Sequence, residues 1–271
     1  MNWKAKMADI IWRKQALDTP LFPDLLWSRP ENRQNSGKLT VIGGNVHGFS
    51  APALAYAGAE KTGVGACRVV LPDKLAKIVG NSLQAFFAPS TPSGSFSRRS
   101  LAIMLESARW ADGALLAGDF GRNSETAIAL ESLSGEYTGQ LTLAGDAVDY
   151  FIAATGLLLS RDNTLLIINL GQLQKLAKHN RPSTPVFHNM NLQELIFVLA
   201  DWTSGTKAGF VTKHADRLIL AMGGQVSTTP HDKPAEWQVE IGAYAAVWWL
   251  QQPSRAFEAI TTAIYSYCAQ K

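Results

Sequence analysis

Cysteine is nearly absent from this chain: Cys67 and Cys268 are the only two among 271 residues. Two isolated cysteines build neither a disulfide framework nor a zinc site. Both are therefore expected as free, buried thiols. Charge is also sparse, at 17% of residues, and nearly balanced at a formal +3. No run of lysine and arginine interleaves with aromatics, which argues against a nucleic-acid partner. No apolar run approaches the ~20 residues of a membrane helix. The opening MNWKAKMADIIWRKQ is too mixed in charge for a signal-peptide core. The expectation is a cytoplasmic chain with no membrane partner.

Chemical motifs are missing too. No pair of histidines stands at H-x-x-x-H spacing, so no protein-bound metal site is expected. There is no G-x-S-x-G elbow of a serine hydrolase. Gly43, Gly44 and Gly48 fit neither the Walker loop nor G-x-G-x-x-G. No Pro/Gly/Ser linker divides the chain into comparable halves. The expectation is one domain over residues 1–271, with residues 1–38 as an N-terminal helix and loop extension.

What remains is 46% hydrophobic sequence in alternating short runs. Lys4–Gln15 reads as an amphipathic helix with Ile10, Ile11 and Trp12 packed on the body. Strands are expected at Leu39–Ile42, Cys67–Leu71, Gly113–Ala117, Gln140–Leu143, Leu165–Ile168, Gly209–Thr212 and Arg217–Ala221. Helices are expected at Ala51–Lys61, Asp73–Val79, Leu101–Trp110, Thr126–Leu133, Asp146–Ala154, Leu170–Lys178, Leu192–Trp202, Ile241–Gln251 and Phe257–Ala269. Strands alternating with helices predict a parallel sheet covered on both faces. Ligands of such sheets sit beyond the carboxyl ends of the strands.

The loops at those ends are GGNVHGFSAP, AGDFGRN, NLGQ and KHADR. The glycines of the first permit close backbone approach to a ligand, and the helix after it offers free N–H groups. A bare strand-helix turn explains the same residues, and His47 in it reads as a solvated loop histidine. Asp119 is either a turn aspartate capping the next helix or a carboxylate at the cleft. Glu240, read as standing just before a helix, is favoured there by the helix dipole and could equally serve as a general base.

Taken in order, these loops resemble the ADP/ATP-dependent NAD(P)H-hydrate dehydratases of the ribokinase-like superfamily, with its carbohydrate-kinase-like domain. The resemblance runs from Arg29 to Tyr267. It implies a three-layer α/β/α sandwich with a mostly parallel central sheet. Gly43-Gly44-Asn45 stands where the family has Gly-Gly-Ser, Ser50-Ala51 where it has Gly-Ala, and Gly63-Val64-Gly65 where it has Gly-Ala-Gly. Ala117 to Gly121 replaces Gly-Pro-Gly-Leu-Gly, and Asp146 keeps the second acid of Asp-Ala-Asp-Ala-Leu. Asn169 and Gln172 take the histidine and glutamate positions of Thr-Pro-His-x-Gly-Glu. Lys213 is retained from Leu-Lys-Gly-Ala-x-Thr, with His214 for the glycine and Arg217 for the threonine. The superfamily's Gly-Thr-Gly-Asp, an anion hole followed by a base, aligns with Trp237, Gln238, Val239 and Glu240.

The resemblance implies a lyase that uses ADP or ATP, with or without Mg2+, to dehydrate hydrated NADH or NADPH. Glu240 would be the base. Gly44, Asn45, Ala51, Asp119, Gly121, Asp146 and Asn169 would hold the substrate. Lys213, His214, Ala215, Asp216, Arg217 and Val239 would hold the nucleotide. The alternatives are a relative whose phosphate machinery has decayed and a small-molecule kinase of the same superfamily. The family often assembles as homo-oligomers, and AVWWL at Ala246–Leu250 is read as either that contact or core.

Overall fold

The computed structural model describes residues 10–80, 84–232 and 237–269. The strands among them are β1 (Trp12–Lys14), β2 (Lys38–Gly43), β3 (Ala66–Pro72), β4 (Ala85–Ala88), β5 (Gly113–Gly118), β6 (Gln140–Leu143), β7 (Thr164–Ile167), β8 (Gly209–His214), β9 (Arg217–Met222) and β10 (Gln225–Pro230). They form one sheet in the order β1-β10-β9-β8-β7-β6-β5-β2-β3-β4. Only β9 runs against its neighbours, pairing antiparallel with β8 and β10. The central strands read as short continuous apolar runs, such as GALLAG in β5 and TLLI in β7. Burial on both faces produces that pattern in parallel sheets.

The helices of ten or more residues are α1 (Ser50–Lys61), α2 (Leu101–Trp110), α3 (Ser124–Glu136), α4 (Leu170–Asn180), α5 (Leu192–Ser204), α6 (Trp237–Gln251) and α7 (Ala256–Cys268). Successive strand residues point to opposite faces, and the two halves of the core follow that alternation. Ile42 and Leu116 join one apolar cluster with residues of α2, α3, α4 and α5. Val41 and Leu115 join another with residues of α1, α6 and α7. The result is three layers, α/β/α. Ala246–Leu250 lies in α6 and is buried throughout, so the AVWWL stretch is core. None of the described helices is long and apolar enough to cross a membrane.

Three expectations are corrected. Trp12–Lys14 is not helical but an edge strand parallel to β10, with Trp12 Nε1 donating to Thr228 Oγ1 at 3.1 Å. Ile10 and Trp12 pack on the core while Ile11 is exposed; the first residues of that predicted helix, 4–9, lie outside the described residues. The predicted helix Asp146–Ala154 is a 3-10 turn over Gly145–Phe151, followed by a short helix at Thr155–Leu159. The described part of α6 already begins at Trp237, ahead of the expected Ile241, so Glu240 is inside the helix and not before it.

Candidate functional site

The carboxyl ends of β5, β6, β7 and β8 meet the amino ends of α1 and α4 and the first described turn of α6 around a cavity of about 610 Å³. Among the residues expected at a site, Ala51, Asp119, Asp146, Asn169, Lys213 and Val239 line it. Gln172, Gln238 and Asp149 line it as well.

The turn after β5 is built around Gly118 and Asp119, both at positive φ (118° and 59°). A Cβ on Gly118 would come within 2.9 Å of Asp146 Oδ1, so only glycine lets the two strand-end loops close together. Aspartate tolerates the left-handed region better than most residues, and its side chain here has a task. Asp119 Oδ2 accepts from the Ala51 backbone N–H at 2.7 Å and from Ser50 Oγ at 3.1 Å. The N-cap residue of α1, Phe49, supplies no side-chain cap. Asp119 caps α1 from another loop; the next helix, α3, is capped instead by Asn123, and the Asp119 carboxylate also lines the cavity.

Asp146 Oδ2 accepts from Phe120 N at 3.2 Å, while its Oδ1 is buried without a hydrogen-bond partner. Burial, and then the charge of nearby Asp119, push the Asp146 carboxyl up to about 6. An acid in that range exchanges its proton near neutral pH.

The opposite wall is an amide network. Asn169 and Gln172 form a capping box at the head of α4. Gln172 Nε2 donates to Gly145 O at 2.8 Å and to Asp149 Oδ2 at 2.9 Å. Gln172 Oε1 accepts from Asn169 N and, at 3.0 Å, from Gln238 Nε2, which also donates to Ile167 O at 2.9 Å. Asp149 pairs with Lys175 at 3.1 Å. Every donor and acceptor of the Gln172 amide is engaged, which fixes the ends of β6 and β7 to the first described turn of α6.

Other expected site residues stand elsewhere. Glu240 does not line the cavity; its Oε2 accepts from Tyr267 Oη of α7 at 2.8 Å. Two residues along a helix turn the side chain by about 200°, so with Gln238 toward the cavity Glu240 faces away. Gly44 is a turn glycine at φ 89°, against Leu71 and Phe49. Asn45 is a brace: its Nδ2 donates to Asp119 O at 2.5 Å and its Oδ1 accepts from His47 N. Gly121 lines an adjoining hollow that shares Asp146 and Asp149. Of the expected nucleotide loop only Lys213 lines the cavity. His214 Nε2 is hydrogen-bonded to Met190 O, Ala215 makes the turn at φ 50°, and Asp216 O accepts from His231 N. Arg217 opens β9, its Nε 4.0 Å from Asp216 Oδ1.

Asp149 was readable: three residues after Asp146 in a 3-10 turn, it falls on the same side. Gln238 was readable only from the true start of α6. No group of three or more His, Cys, Asp or Glu among the described residues could hold a metal ion.

No family model matches the chain, and no curated protein matches it. Solved structures do. A ribokinase-like superfamily protein from Enterococcus faecalis V583 superposes with a TM-score of 0.72 at 16% identity, covering 95% of this chain and 86% of that one. The ADP/ATP-dependent NAD(P)H-hydrate dehydratase of Bacillus subtilis, co-crystallised with ATP/Mg2+, gives 0.63 at 14% identity, covering 93% and 88%. A pyrophosphate-dependent kinase of the ribokinase family gives 0.53 at 11% identity, covering 84% and 94%. With its sheet order, its two helical layers and these neighbours, the chain has the ribokinase-like fold, in a strongly diverged sequence.

Proposed function

We propose that this chain is a ribokinase-like small-molecule-binding protein that does not run the superfamily's base-driven reaction at the head of α6. One observation carries the reading: among the described residues of that turn, the polar side chain at the cavity is the amide of Gln238, while Glu240 is held by Tyr267. An amide cannot take a proton from a hydroxyl. The dehydratase and kinase readings both need a base at that place, and Trp237, Gln238 and Val239 carry side chains where the motif has an anion hole. The lined cavity with its engaged amide wall supports retained ligand binding. Calorimetry with ADP, ATP and hydrated NADH or NADPH, alongside turnover of the hydrated dinucleotides, tests it. Binding without nucleotide-dependent turnover is expected; turnover that Glu240→Gln abolishes contradicts it.

A second reading rests on Asp146. Asp146 lines the cavity, and its carboxyl is raised to about 6 by burial and by Asp119. That group could serve as a base in a reaction placed differently from the superfamily's. Turnover that survives Glu240→Gln and is lost in Asp146→Asn would favour it.

A further inference from the structure

A separate hollow of about 540 Å³ lies between α5 and the connection that leads into it from α4, residues 181–191. It shares no lining residue with the cavity. Connections in compact domains are usually shorter, with a median of about 4–6 residues, and protein interiors tend to close apolar gaps by packing. This connection is pinned instead. Ser183 Oγ donates to Asp201 Oδ2 at one end, and Met190 O is hydrogen-bonded to His214 Nε2 at 2.8 Å at the other. Asn191 then opens α5, its Oδ1 accepting from Glu194 N at 3.0 Å. Between the pins Val186 is buried, but the Phe187 ring at the hollow is 56% exposed.

The chemistry of the lining is specific. Phe187 and Met190 from the connection face it together with Phe197 and Val198 from α5. Glu194 is the one charged side chain among the described lining residues, and no lysine, arginine or histidine stands with it. Its Oε2 accepts from Asn191 N at 2.9 Å, which fixes the carboxylate on the wall and leaves Oε1 for another donor. Glu194 is partly exposed, so that oxygen is open to water when the hollow is empty. Aromatic faces attract cations, and a thioether packs well against a ring.

We infer that this hollow binds a small aromatic cation, a ring that carries a protonated amine. The ring packs against Phe187, Met190 and Phe197, and the ammonium donates to Glu194 Oε1. A fixed carboxylate beside two aromatic rings complements such a cation. An anion would be repelled by Glu194, and a neutral ring would shield the carboxylate from water without supplying a counter-charge. Phe187 is then the ring that covers the ligand, which accounts for a large apolar side chain held out in solvent. The inference does not depend on what the cavity beyond the strand ends binds.

Benzylamine, benzyl alcohol and benzoate share a ring and differ in charge. They test the inference at pH 7 by nuclear magnetic resonance of the full chain with isotope-labelled methionine methyl groups. The Met190 signal, assigned through Met190→Leu, should move with benzylamine and saturate. Benzylamine should bind about tenfold tighter than benzyl alcohol, with benzoate weakest. Glu194→Gln keeps an acceptor for the Asn191 N–H, as capping boxes allow, and removes the charge. It should cost benzylamine about tenfold in affinity and benzyl alcohol nothing. Phe187→Ala, at an exposed position, should weaken both ligands with the fold intact by circular dichroism. Equal affinity across the three charges, or benzylamine binding unchanged in Glu194→Gln, overturns the inference. A Met190 signal that none of the probes moves overturns it too.

Discussion

The hydroxyl of Tyr267 donates to Glu240 Oε2 across 2.8 Å, joining α7 to the first turn of α6. Burial first, and then this bond to Glu240, push the Tyr267 phenol above its ordinary range. The pair is a structural tie between two helices that also pack against each other. Tyr267→Phe and Glu240→Gln should each lower unfolding free energy by about 1 kcal/mol. A double-mutant cycle in urea should show the losses to be non-additive. Ligand affinity should not change in either variant.

Gln238 behaves differently. Its Nε2 satisfies Ile167 O and Gln172 Oε1, so Gln238→Leu removes the donor from both. Gln172 Oε1 keeps the Asn169 N–H as a donor, so a loss of about 1 kcal/mol is expected from the hydrogen bonds removed. Ligand affinity should fall as well, because this side chain lines the cavity. A variant as stable as the wild type would show that the amide wall is not needed.

Asp146 makes stability depend on pH in a stated direction. Its folded pKa, about 6, lies above the unfolded value of about 3.9. The folded chain therefore holds this proton more tightly. The stabilisation is complete below the unfolded pKa and is lost as pH rises through about 6. Asp146→Asn should remove that contribution. Unfolding compared at pH 5 and pH 8 should show the variant gaining on the wild type at the higher pH. A constant difference between the two would mean that Asp146 titrates normally.

The two thiols should separate cleanly. Burial, and then the charge of Glu60, push Cys67 up to about 12, whereas Cys268 is partly exposed. Alkylation at pH 8 followed by peptide mass analysis should find Cys67 unmodified in the native protein and modified once urea unfolds it. Native labelling of Cys67 would mean that the core near β3 opens readily.

Much of the sheet could be read because its central strands are apolar runs bounded by turn residues. Gln140–Leu143 and Leu101–Trp110 have the expected bounds, and the loops at the strand ends do surround the cavity. The edges were harder. Tertiary pairing makes WRK a strand in β1 and AFFA a strand in β4, where local periodicity is too short to speak. β10, read as no element at all, had a signal: Gly223-Gly224, at φ 56° and 79°, is a two-residue hairpin turn between apolar-polar runs. The place of the cavity was legible where strand ends fixed it, and Asp119 and Asp146 line it. The site was misread at Glu240 because a helix that starts at or before Trp237 rotates each side chain by about 100° per residue. The motif's order placed the acid, but the helix phase decided which way it points.

The most direct measurement is recovery of reduced-nicotinamide absorbance from hydrated NADH and NADPH, with ADP, with ATP and with neither, for the wild type beside Glu240→Gln. No nucleotide-dependent recovery in either folded protein is predicted, since among the described residues no carboxylate faces the cavity from the head of α6. Recovery by the wild type that is lost in Glu240→Gln would contradict the account and make Glu240 the base.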